Sequence, residues 1–240
     1  MLQVEKLNVG EIPLYHVQDS EIDSNCPVVI ALHGLGESKD SLLPYAEQMA
    51  EHGVSVLIPD APHHGDRSSG EDRYTLASVQ RMLPILTGSL KEVGALVDYV
   101  KTTSRFHTSR IGITGVSMGG AVTLGAMARY PELRTGVALL TMGSARRFAR
   151  HHNFPKLLWP AVSYLDSLLD RRRIPPRSLL MLNGAEDPII PVNAVREFVQ
   201  EMKAMYGSGG RIEMVEYPGV GHEVVPDMID RTRDWLRTYL

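Results

Sequence analysis

Ile111-Gly112-Ile113-Thr114-Gly115-Val116-Ser117-Met118-Gly119-Gly120 is the stretch that decides the fold. Ile111 to Gly115 has strand composition, and Met118 to Arg129 has the makeup of a helix. Between them, Gly115 to Gly119 read G-x-S-x-G. At average glycine usage that pattern arises by chance about 0.1 times in a chain of this length, so the flanking strand and helix give it its weight. A strand that turns at once into a helix forces the central residue into a strained backbone. Its neighbours two places away must lack bulk, which glycine supplies. The Ser117 hydroxyl then projects from the turn, and the first N–H groups of the helix face an anion held there. Gly120 and Ala121 keep that helix close to the strands beneath it.

The chain on either side repeats this alternation. Leu2 to Leu7 and Ile12 to Val17, split by Asn8-Val9-Gly10, predict an opening hairpin. Pro27 to Leu32 is a continuous apolar run, as expected of a strand buried on both faces. A helix capped by Asp40 or Ser41 and closed by Gly53 precedes a strand over Val54 to Ile58. Asp60 to Tyr74 is polar and turn-rich, hence loop. Val93, Leu96, Val97 and Val100 mark a helix face. Strands are expected at Val137 to Thr141, Ser178 to Leu182 and Ile212 to Tyr217. Helices are expected at Ala194 to Met205 and from Met228 to Tyr239. Strands alternating with helices imply right-handed crossovers, a mainly parallel, doubly wound sheet, and chemistry at the carboxyl ends of the strands. Residues 1–240 form one domain on this reading, interrupted by residues 145–177, which separate two strands by more than one helix. That stretch predicts a small helical cap over the catalytic face. It carries Arg146, Arg147, Arg150, Lys156, Arg171, Arg172, Arg173 and Arg177 against Asp166 and Asp170, a formal charge of +6.

A serine hydroxyl is a weak nucleophile near neutrality. It needs a base within hydrogen-bond reach, and the base needs an orienting carboxylate. Asp187 follows the Ser178–Leu182 strand and His222 follows the Ile212–Tyr217 strand, so Ser117, Asp187 and His222 are the catalytic candidates. Glu186 is a rival acid. Asp187 is preferred because Pro188-Ile189-Ile190-Pro191 leads straight into the next helix. His33-Gly34-Leu35-Gly36 follows the buried Pro27–Leu32 strand, where a loop can turn its amides toward the serine. The N–H groups of Leu35 and Met118 are the expected oxyanion hole. Gly34 and Gly36 leave room for the backbone to bend. Gly34-Leu35-Gly36 also begins a dinucleotide-loop pattern, but Lys39 stands where its third glycine belongs. His33, Gly34, Gly36, Phe148 and Trp159 are the candidate substrate contacts.

Composition narrows the rest. Of 240 residues, 43% are hydrophobic and 22% charged, which suits an ordinary globular chain with a sizeable core. A single cysteine, Cys26, excludes an internal disulfide framework and a multi-cysteine metal site. A net charge of -3 gives no global basic footprint for nucleic acid. No apolar run approaches membrane-spanning length, and no signal peptide is visible at the N-terminus. A cytoplasmic setting is therefore expected. His63-His64 with Asp60 and His151-His152 lack a third ligand at sensible spacing, so no metal is expected. His222-Glu223 begins H-E-x-x-H, but Pro226 stands where its second histidine belongs.

Five segments together resemble the α/β-hydrolase superfamily of serine hydrolases, and in particular the small bacterial esterases grouped with dienelactone hydrolases and prolyl-oligopeptidase-like catalytic domains. They are His33-Gly34-Leu35-Gly36-Glu37-Ser38, Pro59-Asp60-Ala61-Pro62-His63-His64-Gly65, Gly115 to Gly120, Asp187 to Pro191, and Gly221-His222. Ser117 stands where dienelactone hydrolases proper use cysteine, and 240 residues leave no room for a peptidase propeller. The resemblance implies an α/β-hydrolase fold and hydrolysis of small to medium carboxylic esters through an acyl-enzyme. It implies a small-molecule substrate and no cofactor. The cap or an edge strand could pair subunits into a homodimer. The +6 stretch raises an alternative, a thioesterase or acyl transferase acting on anionic acyl carriers. A ligand receptor with an idle triad is a third reading, which no triad position favours.

Overall fold

A computed structural model describes residues 1–21, 26–68, 76–207 and 211–240. Eight strands form one sheet in the order β1-β2-β4-β3-β5-β6-β7-β8. β1 (Leu2–Val9) and β2 (Ile12–Asp19) make the opening antiparallel hairpin. β2 also runs antiparallel to β4 (Ser55–Pro59). The remaining strands, β3 (Val28–Leu32), β5 (Ile111–Val116), β6 (Leu133–Leu139), β7 (Ser178–Gly184) and β8 (Ile212–Tyr217), are joined to β4 and each other in parallel. This is the expected mainly parallel, doubly wound sheet with an N-terminal hairpin.

Helices cover both faces, which is why the central strands are apolar throughout rather than alternating. Val28, Ile30 and Leu32 join the core shared with α2 (Leu76–Thr102), α3 (Met118–Arg129) and α6 (Val192–Tyr206). Val29 and Ala31 point the other way, into the core shared with α1 (Leu43–Ala50) and α7 (Pro226–Tyr239). Between β6 and β7 the chain makes α4 (Ala145–His151) and α5 (Trp159–Leu168), with short 3-10 turns at Lys156–Leu158 and Arg171–Arg173.

Three local expectations shift. The helix before β4 is entered through a 3-10 turn, Lys39–Leu42, capped by Ser38 rather than by Asp40 or Ser41; the Ser38 hydroxyl accepts the Asp40 N–H. β6 begins at Leu133 and ends at Leu139, because Leu133 and Thr135 already point into the core and Leu140 breaks the strand with a φ of 50°. The loop expected over Asp60 to Tyr74 contains a 3-10 turn, Gly65–Arg67, and its part over 69–75 lies outside the described residues.

Candidate active site

The parallel register carries the chemistry to one edge. Ser117 follows β5, Asp187 follows β7 and His222 follows β8, three strand ends on the same rim of the sheet. Ser117 has φ 54° and ψ −109°, a conformation that L-residues avoid unless the surrounding structure enforces it. Enforcement comes from both sides. The Ser117 N–H donates to Leu139 O at 2.9 Å. A Cβ on Gly115 would lie 2.3 Å from Gly119 O, and one on Gly119 would lie 2.3 Å from Leu32 O. No larger residue fits at either place.

The three side chains form one hydrogen-bonded chain. His222 Nδ1 lies 2.7 Å from Asp187 Oδ2, and His222 Nε2 lies 2.9 Å from Ser117 Oγ. A carboxylate can only accept, so the ring proton sits on Nδ1 and Nε2 is left to accept from the serine hydroxyl. Asp187 is fixed in turn. Its Oδ1 accepts the N–H groups of Ile189 at 2.8 Å and Ile190 at 2.9 Å. The rival acid, Glu186, faces away from the ring. It is exposed, its Oε1 accepts the Gly219 N–H at 3.2 Å, and so it braces the loop that carries His222.

Leu35 sits in the turn after β3 and Met118 is the first residue of α3. Neither backbone N–H has a hydrogen-bond acceptor among the described residues, and both residues border the same cavity as Ser117 and His222. The Leu35 turn is tied down at its base. Gly34 N–H donates to Glu37 Oε2 at 2.9 Å. Asp60, fully buried at the end of β4, accepts the Lys39 N–H at 2.8 Å, the Lys39 ammonium at 2.5 Å and the Asp66 N–H at 3.0 Å. Burial presses the Lys39 ammonium toward neutrality, but its hydrogen bonds to Asp60 and Asp66 outweigh this and raise its pKa above the ordinary lysine value. This buried pair joins the loop after β3 to the loop after β4. The sequence places Asp60 in a polar loop and Lys39 just before a helix cap, and nothing in it pairs them.

The cavity beside Ser117 has a volume of about 750 Å³. Its walls are α2 through Met82, Leu83, Leu86 and Leu90, the 145–177 segment through Phe148, Phe154, Leu158, Ala161, Val162, Leu165, Leu168 and Leu169, and the Asp187 loop through Ile189 and Ile190. Among the described residues, no lysine or arginine lines it. Of the expected substrate contacts, Phe148 borders this cavity and Trp159 does not; Trp159 lies under the Arg150 guanidinium instead, 6.0 Å from ring centre to carbon. His33 is also absent from its wall. Its ring is buried, lies 2.8 Å from Gly34 O through Nδ1 and accepts the Ala61 N–H through Nε2 at 3.0 Å. Burial pushes its pKa below the ordinary histidine value, which suits a neutral ring acting as a strut between two loops. Gly34 and Gly36 likewise shape the turn without bordering the cavity. Sequence reading missed the α2 wall, although the spacing of Leu83, Leu86 and Leu90 could have found it.

Residues 23–174, more than half of the chain, match the family described as serine aminopeptidase, S33. The chain belongs to that family. This S33 member is a serine hydrolase of the α/β-hydrolase fold. It is 27% identical to the esterase-named YitV of Bacillus subtilis (strain 168) and 26% identical to "Esterase YjfP" of Escherichia coli (strain K12), each similarity covering all of both chains. Its fold superposes on the crystal structure of TT1662 from Thermus thermophilus with a TM-score of 0.81 at 22% identity, covering 100% of this chain and 98% of that one. Among the described residues of the S33 member, no helix is long and apolar enough to cross a membrane.

Proposed function

We propose that the protein hydrolyses carboxylic esters of small molecules through Ser117, His222 and Asp187, by way of an acyl-enzyme. The observation that carries this reading is the unbroken hydrogen-bonded chain from Ser117 Oγ through the His222 ring to Asp187, at the mouth of an apolar cavity. The esterase names of YitV and YjfP support the choice of ester over peptide.

Ser117 Oγ attacks the ester carbonyl while His222 Nε2 takes its proton. Asp187 holds the imidazole in the required tautomer and stabilises the imidazolium. The carbonyl oxygen, now an anion, is held by the Leu35 and Met118 N–H groups. Collapse expels the alkoxide, which leaves as the alcohol with the proton from His222. Water then adds to the acyl-serine as His222 takes its proton. Breakdown releases the carboxylic acid and returns the proton to Ser117. The 145–177 segment acts as a cap that walls the substrate cavity. The thioesterase or transferase reading loses its motive here, because none of the basic residues of that segment lines the cavity.

The test is hydrolysis of p-nitrophenyl butanoate together with labelling by a fluorophosphonate. Wild type should turn over the ester and take up one label per chain at Ser117, and Ser117→Ala should do neither. Full activity in Ser117→Ala would overturn the proposal.

A further inference from the structure

Ala161, Leu165 and Leu168 recur at helical spacing on α5, as do Leu83, Leu86 and Leu90 on α2. Apolar stripes of this kind are normally packed against other protein at nearly crystalline density. Here Leu90 is part of the core and Leu86 and Leu168 pack against it, yet both stripes also border a cavity of about 750 Å³ that reaches Ser117 and His222. A dry apolar cavity of about 150 Å³ already accepts a benzene ring, so this one is about five times larger than six carbons require. Few polar groups border it. The Ser144 hydroxyl is engaged with Asp166 Oδ1 at 2.9 Å, and His152 Nε2 lies 2.8 Å from Ile189 O. Apart from the Ser117–His222 pair, that leaves Thr141 as the polar side chain on the wall among the described residues. A charged group buried there would be desolvated without a partner.

We infer that the ester this site takes carries a long, neutral hydrocarbon arm, of about ten carbons or more, and that this arm fills the space between α2 and α5. The inference rests on the proposed role of Ser117 and narrows its substrate class from small esters to lipophilic ones. The arm can belong to the acyl or to the alcohol half of the ester, since both meet at Ser117 Oγ. Its burial replaces water-exposed methylenes by contacts with leucine side chains, a gain of up to about fourfold in kcat/KM for each methylene.

The experiment has two substrate series, each kept below its aggregation limit. One is p-nitrophenyl esters of lengthening acids, and the other is acetate esters of lengthening alcohols. In one series kcat/KM should climb with length and peak beyond about eight carbons. The series that climbs identifies the half of the ester that carries the arm. Leu165→Trp puts bulk into the cavity from α5, and Leu86→Trp does so from α2. Each should lower the ratio of dodecanoate to butanoate rates, or its alcohol counterpart, by about tenfold or more, roughly two buried methylenes. Two wall variants guard against one that fails to fold. Binding is read separately in Ser117→Ala, where decan-1-ol should displace the fluorophore N-phenyl-1-naphthylamine, and should fail to do so once Leu165→Trp is added. Ser117-dependent hydrolysis that favours the shortest ester in both series overturns the inference and leaves the esterase reading intact. Failure of decan-1-ol to displace the fluorophore also overturns it. Displacement by decan-1-ol without hydrolysis of any ester supports the hydrocarbon site and overturns the esterase reading instead.

Discussion

Gly119→Ala tests whether the serine turn and the Leu35 turn are locked together. The added Cβ would lie 2.3 Å from Leu32 O, 2.7 Å from Leu32 C and 2.8 Å from His33 O, where real Cβ contacts essentially never fall below 3.0 Å. About 0.7 Å of separation must therefore be found. All three obstacles are backbone, so no side chain can rotate away. Leu32 is also held in the ladder with β5, opposite Gly115. What can yield is the turn from His33 to Gly36 or the Ser117 turn itself, and either movement separates Ser117 Oγ from the Leu35 N–H. Misplacement by about 1 Å can cost about 10²-fold in rate, and loss of one oxyanion donor costs about 10²–10³-fold. The expected result is a kcat about 10²-fold below wild type, with stability lower by about 1–3 kcal/mol from overpacking. Steady-state hydrolysis of p-nitrophenyl butanoate and urea unfolding read the two effects separately. Gly10→Ala is the control: its φ of 60° strains the hairpin, but nothing lies within 4 Å of its Cβ, so only stability should move. A folded Gly119→Ala with kcat within a factor of about three of wild type would refute the argument that contact between the turns sets the oxyanion geometry.

Asp187→Asn should lower kcat by about 10⁴-fold. With two N–H donors on Oδ1, the amide oxygen must take that place, which turns the NH₂ toward His222 Nδ1 and leaves Nε2 protonated against Ser117; an Asn variant with near-native kcat would contradict this. Lys39→Met strands the buried Asp60 carboxylate and should cost about 3 kcal/mol in urea unfolding, since breaking a buried pair typically costs 3–5 kcal/mol and two N–H donors remain. The double variant Lys39→Met, Asp60→Asn should recover much of that loss. His16, buried with Nε2 2.6 Å from Ser55 Oγ, is pushed down from 6.5 to about 4, first by burial and then by the nearby Arg105 charge. The unfolded chain then binds the extra proton between these values, so the stability His16 contributes is complete above about pH 6.5 and is lost as pH falls toward 4, by about 3 kcal/mol in all. His16→Gln should flatten unfolding stability across that window, and an unchanged slope would show that His16 does not titrate there.

How much was legible follows from how local each feature is. The span of α3, Met118–Arg129, and that of β8, Ile212–Tyr217, stand as read, because a glycine turn and a polar loop punctuate them. The positions of Ser117, Asp187 and His222 were legible because each follows a strand, and a parallel sheet brings such ends to one rim. The long reach of α2 was not, since Val93, Leu96, Val97 and Val100 mark only its second half; the 27-residue helix also runs through Pro84. The Lys39–Asp60 pair was not legible either. Its partners are 21 residues apart in loops, and nothing in a single sequence pairs one lysine with one aspartate. The cavity was hidden for a different reason. The spacing of Ala161, Leu165 and Leu168 announces an apolar face, but only the fold shows that it borders a cavity among the described residues.

The charge of the 145–177 segment illustrates how a formal sum can mislead. Arg147 is paired with Glu197 and Glu201, and Arg171 with Glu201, both acids lying on α6. Arg172 holds Asp170, and the half-buried Arg177 donates to the carbonyls of Ile174 and Tyr130. Arg147, Arg171 and Arg177 thereby fasten the segment to the hydrolase body, and the charge of all four is spent locally and casts little field toward Ser117. Pairs as exposed as these contribute only about 0–1 kcal/mol each and weaken with salt. The apolar side of α5 reaches the core through Leu168, while Ala161 and Leu165 border the cavity. A hydrocarbon occupying that space would bridge α5 to α2 and stabilise the bound state by about 2.7 kcal/mol at a hundred times its Kd. On the proposed reading, a lipophilic substrate would thus add packing across the cavity that the ion pairs of the segment do not provide.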